Sequence, residues 1–143
     1  MAGEYLPSPT EWVRKQVELY ESSSGREGTE LRGRRVIIVT NRGRRTGGVR
    51  KTPLMRVADG DGYVLVASRG GAPEHPQWYY NLLDAPEVTI QDRERVAEMR
   101  VELVEDGAER SRLWALAVEA FPDYAEYQTR TERVIPVFSA RPR

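Results

Sequence analysis

The chain has 143 residues, 22 basic against 22 acidic side chains, one histidine and no cysteine. That length supports one domain with a single core, the missing thiols exclude disulfide frameworks, thiolate metal sites and cysteine nucleophiles, and the lone His75 excludes most zinc sites. No apolar run reaches the roughly 18 residues of a membrane span, and the start MAGEYLPSPT lacks the basic and apolar stretches of a signal peptide, so a cytoplasmic location is expected.

In chain order, Thr10 is placed to cap a helix whose apolar positions Val13, Val17 and Tyr20 recur at helical spacing. Ser22-Ser23-Ser24-Gly25 ends it, and residues 26–34 read as a polar connector. Val36-Ile37-Ile38-Val39 is a β-branched run suited to a buried strand. A turn-rich basic loop follows at 41–48, then a strand over 50–58 in which Pro53 indicates an edge or a bulge. Asp59-Gly60-Asp61-Gly62 is a hairpin turn, and Tyr63 to Ser68 the next strand. After the break at Arg69-Gly70-Gly71-Ala72-Pro73 come a short helix over 75–83 and strands over 87–91 and 95–104. Gly107 to Phe121 gives the clearest helical face, through Leu113, Leu116, Ala117, Ala120 and Phe121. Residues 123–130 add a turn or two of helix, and 133–138 a last strand. Strands joined by tight turns pair antiparallel. The expected fold is therefore α+β, mainly β: a small barrel or curved sheet of about six strands with helices outside.

Charge is unevenly placed. Nine cations lie between Leu31 and Ala58 with no acid among them, so the rest of the chain is correspondingly acidic. The loop Arg42-Gly43-Arg44-Arg45-Thr46-Gly47-Gly48 combines glycines that admit a ligand to the backbone with arginines whose forks match phosphate or carboxylate. Its spacing is neither that of a P-loop nor of a dinucleotide fingerprint, and a solvated basic hairpin turn is the plainer alternative. Arg50-Lys51-Thr52-Pro53 adds cations at the same sheet end.

Ser68-Arg69-Gly70-Gly71 ends a strand in a bend that a flat ring or pyrophosphate could approach, or is a plain turn. In His75-Pro76-Gln77-Trp78-Tyr79-Tyr80-Asn81 the histidine is expected to be structural, the aromatics to pack, and Asn81 to end a helix or clamp a ligand. Tyr124 and Tyr127, three apart, share a helical face; either packs, or donates to a developing oxyanion. Asp59 and Asp61 are too few for a calcium loop.

Taken together, four ordered blocks make the chain resemble the deazaflavin (F420)-dependent nitroreductase and quinone reductase family of the split β-barrel flavin-binding superfamily. They are Thr40-Asn41-Arg42-Gly43-Arg44-Arg45-Thr46-Gly47 with Arg50 to Val57, Val66 to Pro73, His75 to Leu82 with Asp84 to Val88, and Phe121-Pro122-Asp123-Tyr124-Ala125-Glu126-Tyr127. The resemblance runs from about Val36 to Phe138. Residues 1–30 are read as an N-terminal helix and connector, and the resemblance implies a coenzyme-binding split barrel over 31–143. It also implies F420 as coenzyme, a flat deazaflavin with a phosphodiester and oligoglutamate tail, and hydride transfer to a quinone-like or nitroaromatic acceptor.

By the same resemblance Arg44, Arg45 and Thr46 meet the phosphate or tail, and Arg50, Lys51, Thr52, Pro53, Leu54 and Met55 run along the coenzyme, with Lys51 a phosphate partner. Val66, Ala67, Ser68 and Arg69 line the ring and its linker, and Gln77, Trp78 and Asn81 close the other side. Tyr124 faces the acceptor, with Ser68 and Tyr127 completing that pocket. Asn41-Arg42 and Phe121 depart from relatives, which carry small hydroxyl residues and, in some nitroimidazole reducers, a tyrosine there. An FMN-binding split barrel and a non-catalytic F420 carrier are the alternatives, with an RNA-binding or anionic-membrane-binding protein using the 32–56 basic face as a further one. No nucleic-acid partner is expected. Membrane contact through the N-terminal helix stays open, opposed by Glu11, Glu18 and Glu21, as does the oligomeric state.

Overall fold

The Val36–Val39 run is apolar on both faces because both faces are covered. In a computed structural model describing residues 3–143, Ile37 and Val39 point into a curled sheet, while Val36 and Ile38 pack against Val17 and Tyr20 of a helix. The elements are α1 (Glu11–Ser22), β1 (Glu30–Leu31), β2 (Arg34–Arg42), β3 (Val49–Met55), β4 (Ala58–Asp59), β5 (Gly62–Val66), α2 (Gln77–Asp84), β6 (Glu87–Asp92), β7 (Arg95–Leu103), α3 (Gly107–Ala120), α4 (Asp123–Thr129) and β8 (Val137–Pro142), with a 3-10 turn at Arg69–Gly71. The sheet order is β1-β2-β6-β7-β8-β5-β4, with β3 on β2, and the strand pairs are antiparallel. This is the expected split barrel, its six longer strands supplemented by two of two residues.

Ile37, Leu65, Ile90, Met99 and Phe138 fill the barrel. Val64 and Val66 of β5 face outward onto Leu113, Ala117, Phe121 and Tyr124 of α3 and α4. Truncating a buried aliphatic such as Ile37 to alanine costs about 3 kcal/mol at such a site. One barrel end is closed by Asp92, whose buried carboxylate accepts from Arg35 (2.8 Å), Arg56 (2.8 Å) and the Tyr63 hydroxyl (2.6 Å). Burial pushes this carboxyl up, but the donors and the two guanidinium charges win and hold it below the usual carboxylate range. No helix among the described residues is long and apolar enough to cross a membrane.

The pairing phase of β3 determines what lies open beside it. The Arg56 N–H donates to the Arg35 carbonyl (3.0 Å) and the Gly43 N–H to the Gly48 carbonyl (2.7 Å). With Ile38 opposite Pro53, alternation turns the backbone groups of Val49, Lys51, Pro53 and Met55 away from β2. Pro53 therefore forfeits no ladder bond. The N-terminal segment occupies the first part of this outer edge: Val49 N–H donates to the Glu4 carbonyl (2.7 Å) and Leu6 N–H to the Val49 carbonyl (2.9 Å). The Leu6 carbonyl, next in line for a β3 N–H, accepts from Arg50 Nη1 instead (3.3 Å), and the edge is open from 51 to 55 among the described residues.

Three sequence expectations are corrected. Thr10 sits at the N-cap of α1 but makes no side-chain cap; its N–H instead donates to Ser8 Oγ (3.1 Å). The last strand begins at Val137, not Arg133, because Pro136 cannot donate to a ladder and Ile135 N–H is taken by Gln128 Oε1 (3.0 Å). The connector 26–34 contains a hairpin pairing Leu31 with Arg34. Its two turn residues, Arg32 (φ 54°) and Gly33 (φ 73°), are both left-handed, as a type I′ turn requires. For an arginine that conformation costs roughly 1 kcal/mol.

Candidate active site

The open edge of β3 borders a two-lobed groove. One lobe, about 530 Å³, lies among the hairpin turn Gly43–Thr46, Arg50 to Thr52, and Gln77, Trp78 and Asn81 of α2, with Leu6 and Val13 above. The other, about 570 Å³, lies among Pro53, Leu54, Met55, Val66, Ser68, Arg69, Phe121, Tyr124 and Tyr127, with Trp12 at its rim. Val13, Thr52 and Trp78 border both. The first lobe is cationic and the second apolar and aromatic.

The cationic lobe is built by local hydrogen bonds. Asn81 Oδ1 accepts from the Arg44 N–H (2.8 Å), tying the hairpin turn to α2. Thr46 Oγ1 accepts from the Gly48 N–H (3.1 Å). Arg44 reaches over the Tyr80 ring (5.3 Å to the centroid), and Arg45 is exposed. Arg50 Nη1 donates to the Leu6 carbonyl (3.3 Å). Lys51 Nζ is engaged by Glu21 of α1 and stands over the Tyr5 ring, so this cation is already paired. Asn41 is buried behind the hairpin with neither amide atom partnered among the described residues.

In the apolar lobe the loop after β5 is held by an arginine that sequence reading passed over. Arg133 donates to the carbonyls of Ser68 (2.8 Å), Ala72 (2.8 Å) and Ala67 (3.2 Å), and to Nδ1 of His75 (2.9 Å). A guanidinium only donates, so Nδ1 accepts and a neutral His75 carries its proton on Nε2. Burial, then the Arg133 charge, pushes the imidazole below its ordinary value. His75 is thus a structural acceptor. Gly71 (φ 81°) brings the loop against α4; a Cβ there would stand 2.6 Å from the Tyr127 carbonyl. Ala67 is fully buried and does not line the groove. Ser68 does, at 9% exposure, and Arg69 borders it while paired with Glu74 (3.3 Å).

Phe121 packs edge-on against Tyr124 (5.0 Å between centroids). The Tyr124 hydroxyl has no hydrogen-bond partner among the described residues, and burial raises it well above the ordinary tyrosine range. The Tyr127 hydroxyl accepts from Arg32 Nη1 (3.1 Å), a residue within the supposed connector. Neither Arg32 nor Arg133 carries a local sequence signal: their contacts lie 95 and 58–66 residues away.

A curled antiparallel sheet with an open strand edge beside an apolar lobe, adjoining a cationic one, defines a split-barrel protein with a groove at the sheet edge. The chain belongs to the F420H(2)-dependent quinone reductase family, whose model matches residues 12–142. Rv1261c of Mycobacterium tuberculosis, an F420H(2)-dependent quinone reductase, is 34% identical over 128 residues, 87% of this chain and 86% of that protein. A solved F420-H2 dependent reductase (FDR-A) matches with TM-score 0.70 and 46% identity over 74% of this chain and 93% of its own. A solved domain-swapped dimer matches with TM-score 0.74 and 44% identity over 94% of this chain and all of its own. The family is one of oxidoreductases, and its coenzyme is F420.

Proposed function

We propose that this groove binds F420 with the deazaflavin ring in the apolar lobe and the phosphate and tail along Arg44, Arg45, Thr46 and Arg50, and that the chain reduces quinones. The observation that carries this reading is the continuity of the two lobes across Thr52 and Trp78. A single terminal phosphate, as on FMN, needs no cationic lobe of this extent. The open backbone groups of Lys51, Pro53 and Met55 offer hydrogen bonds to a ring edge, and Trp78 supplies a wall. Lys51, engaged by Glu21, contributes charge more than direct contact. Within the N-terminal unit at 1–30, the described N-terminal segment and α1 serve as a cover on the binding unit at 31–143.

Bound reduced F420 supplies a hydride. The residues of the chain hold the acceptor against the ring, exclude water and stabilise charge. Phe121, Trp12 and Val66 make the acceptor lobe apolar. The hydroxyls of Tyr124 and Ser68, which line it, have no hydrogen-bond partner among the described residues and are suited to donate to an oxygen that gains charge. The buried Tyr124 hydroxyl holds its proton firmly, so it acts as a hydrogen-bond donor.

The test is a titration of oxidised F420 with the protein, FMN in parallel, followed by oxidation of reduced F420 with menadione. Tight F420 binding with quinone-dependent oxidation is expected. Binding without turnover of any quinone points to a carrier, and FMN binding alone to a flavin enzyme.

A further inference from the structure

The β1–β2 hairpin turns at Arg32-Gly33, and Arg32 takes a left-handed conformation that asparagine or glycine adopts more readily. A strained position occupied by a long cation calls for an explanation in what the side chain reaches. It reaches the apolar lobe: Arg32 lines it, and Nη1 donates to the Tyr127 hydroxyl at 3.1 Å. Arg34 Nη1 donates to the Ala120 carbonyl at the end of α3 (2.9 Å), tying the base of the hairpin to that helix, and the same Arg32 Nη1 makes a loose, exposed ion pair with Asp123 at 3.9 Å. Nε and Nη2 of Arg32 have no partner among the described residues. The Tyr127 ring also lies beneath the Arg130 guanidinium, 5.2 Å from its centroid.

A phenol that accepts from a guanidinium is a stronger donor through its own proton. That proton is not used by any described residue, and Tyr127 borders the same lobe. Tyr124, buried and without a cation on its hydroxyl, lacks this assistance.

We infer that Arg32 and Tyr127 form an anion-binding corner of the acceptor lobe that receives an aromatic oxyanion, Tyr127 touching it and Arg32 acting as the positioning and polarising residue behind it. The corner deepens the quinone reductase reading and rests on it for its use in catalysis. Hydride addition to a quinone leaves negative charge on an oxygen, which then takes a proton to complete the hydroquinone; the electron pair comes from the reduced coenzyme. The corner favours acceptors whose oxygen can reach Tyr127, and ligands already carrying a phenolate.

The test uses 4-nitrophenol, whose absorbance separates phenol from phenolate, with the full chain in the presence and absence of oxidised F420. The parent protein takes up the phenolate. Arg32→Met and Tyr127→Phe each weaken that uptake about tenfold, and the double variant is no weaker than either single. Arg32→Lys, which keeps the charge and the turn, recovers part of the loss. In turnover with menadione, Arg32→Met lowers kcat/KM about tenfold while F420 affinity stays within about twofold. Equal phenolate uptake by parent, Arg32→Met and Arg32→Lys overturns the corner, as do losses that multiply in the double variant. Should Arg32→Met not fold, Arg32→Lys and Tyr127→Phe decide the matter through the same uptake. Phenolate uptake that depends on Arg32, in a protein that oxidises reduced F420 with none of the quinones supplied, overturns the quinone reductase reading and leaves the corner standing. Turnover with indifferent phenolate uptake does the reverse.

Discussion

Arg133 Nη1 donates to His75 Nδ1 at 2.9 Å across 58 residues of chain, and the same guanidinium holds the carbonyls on either side of the glycine-rich bend. The loop that presents Ser68 to the groove is thus shaped from the connector between α4 and β8.

Replacing Arg133 with methionine leaves three part-buried carbonyls and a ring nitrogen without their donor. A loss of about 2 kcal/mol is expected, read as a lower midpoint in urea. Quinone turnover should fall more than F420 affinity, since the cationic lobe does not touch this residue; Arg133→Lys should restore part of the stability and less of the turnover, because one ammonium cannot reproduce the fork.

His75 couples the same loop to pH. Its imidazole is held below its ordinary value, so the native state binds fewer protons than the unfolded chain. Its contribution to stability is present above about pH 6.5 and is lost as pH falls through the lower native value. Thermal unfolding followed across that window should show the slope in the parent and a flatter one in His75→Ala. Equal slopes would rule the coupling out.

Asn81 holds the Arg44 backbone rather than reaching a ligand by itself. Asn81→Ala should loosen the hairpin turn and weaken F420 binding about fivefold, with kcat at saturating coenzyme nearly unchanged. A large fall in kcat without a change in affinity would place Asn81 at the reacting end instead.

Tyr124→Phe and Ser68→Ala each remove a hydroxyl from the acceptor lobe. Each should lower kcat/KM for menadione about tenfold while leaving F420 binding intact. Near-normal turnover in both would show that neither hydroxyl meets the developing charge.

Asp92 offers a prediction away from the site. Its carboxyl is depressed in the native state, so its stabilising effect is present above about pH 4 and disappears as pH falls through the native value. Asp92→Asn should cost about 2 kcal/mol at neutral pH, solvent access at the half-buried arginine ends of the pairs limiting the loss, and should flatten the acid limb of the stability curve.

Much of the barrel is legible in residue order. The β-branched run 36–39, the Asp59-Gly60-Asp61-Gly62 turn and the face of α3 each rest on neighbours within a few positions, where periodicity and turn chemistry act. Pro53 was readable as an edge residue for the same reason. The last strand starts later than the strand propensity of Val134 and Ile135 indicates, because Gln128 of α4 takes the Arg133 carbonyl and the Ile135 N–H and Pro136 has no N–H for a ladder.

The site divides along the same line. By itself the sequence determined the cationic hairpin, the apolar strand edge beside it and the family, since those are contiguous stretches whose chemistry is visible in their composition. Only the tertiary structure decided that Lys51 is engaged by Glu21, that Ala67 is buried beneath the groove, and that Arg133 and Arg32 serve it from afar. A guanidinium on a long side chain finds its partners by proximity in space. Nothing in the residues next to Arg32, in a stretch that reads as a polar connector, encodes a tyrosine 95 positions away.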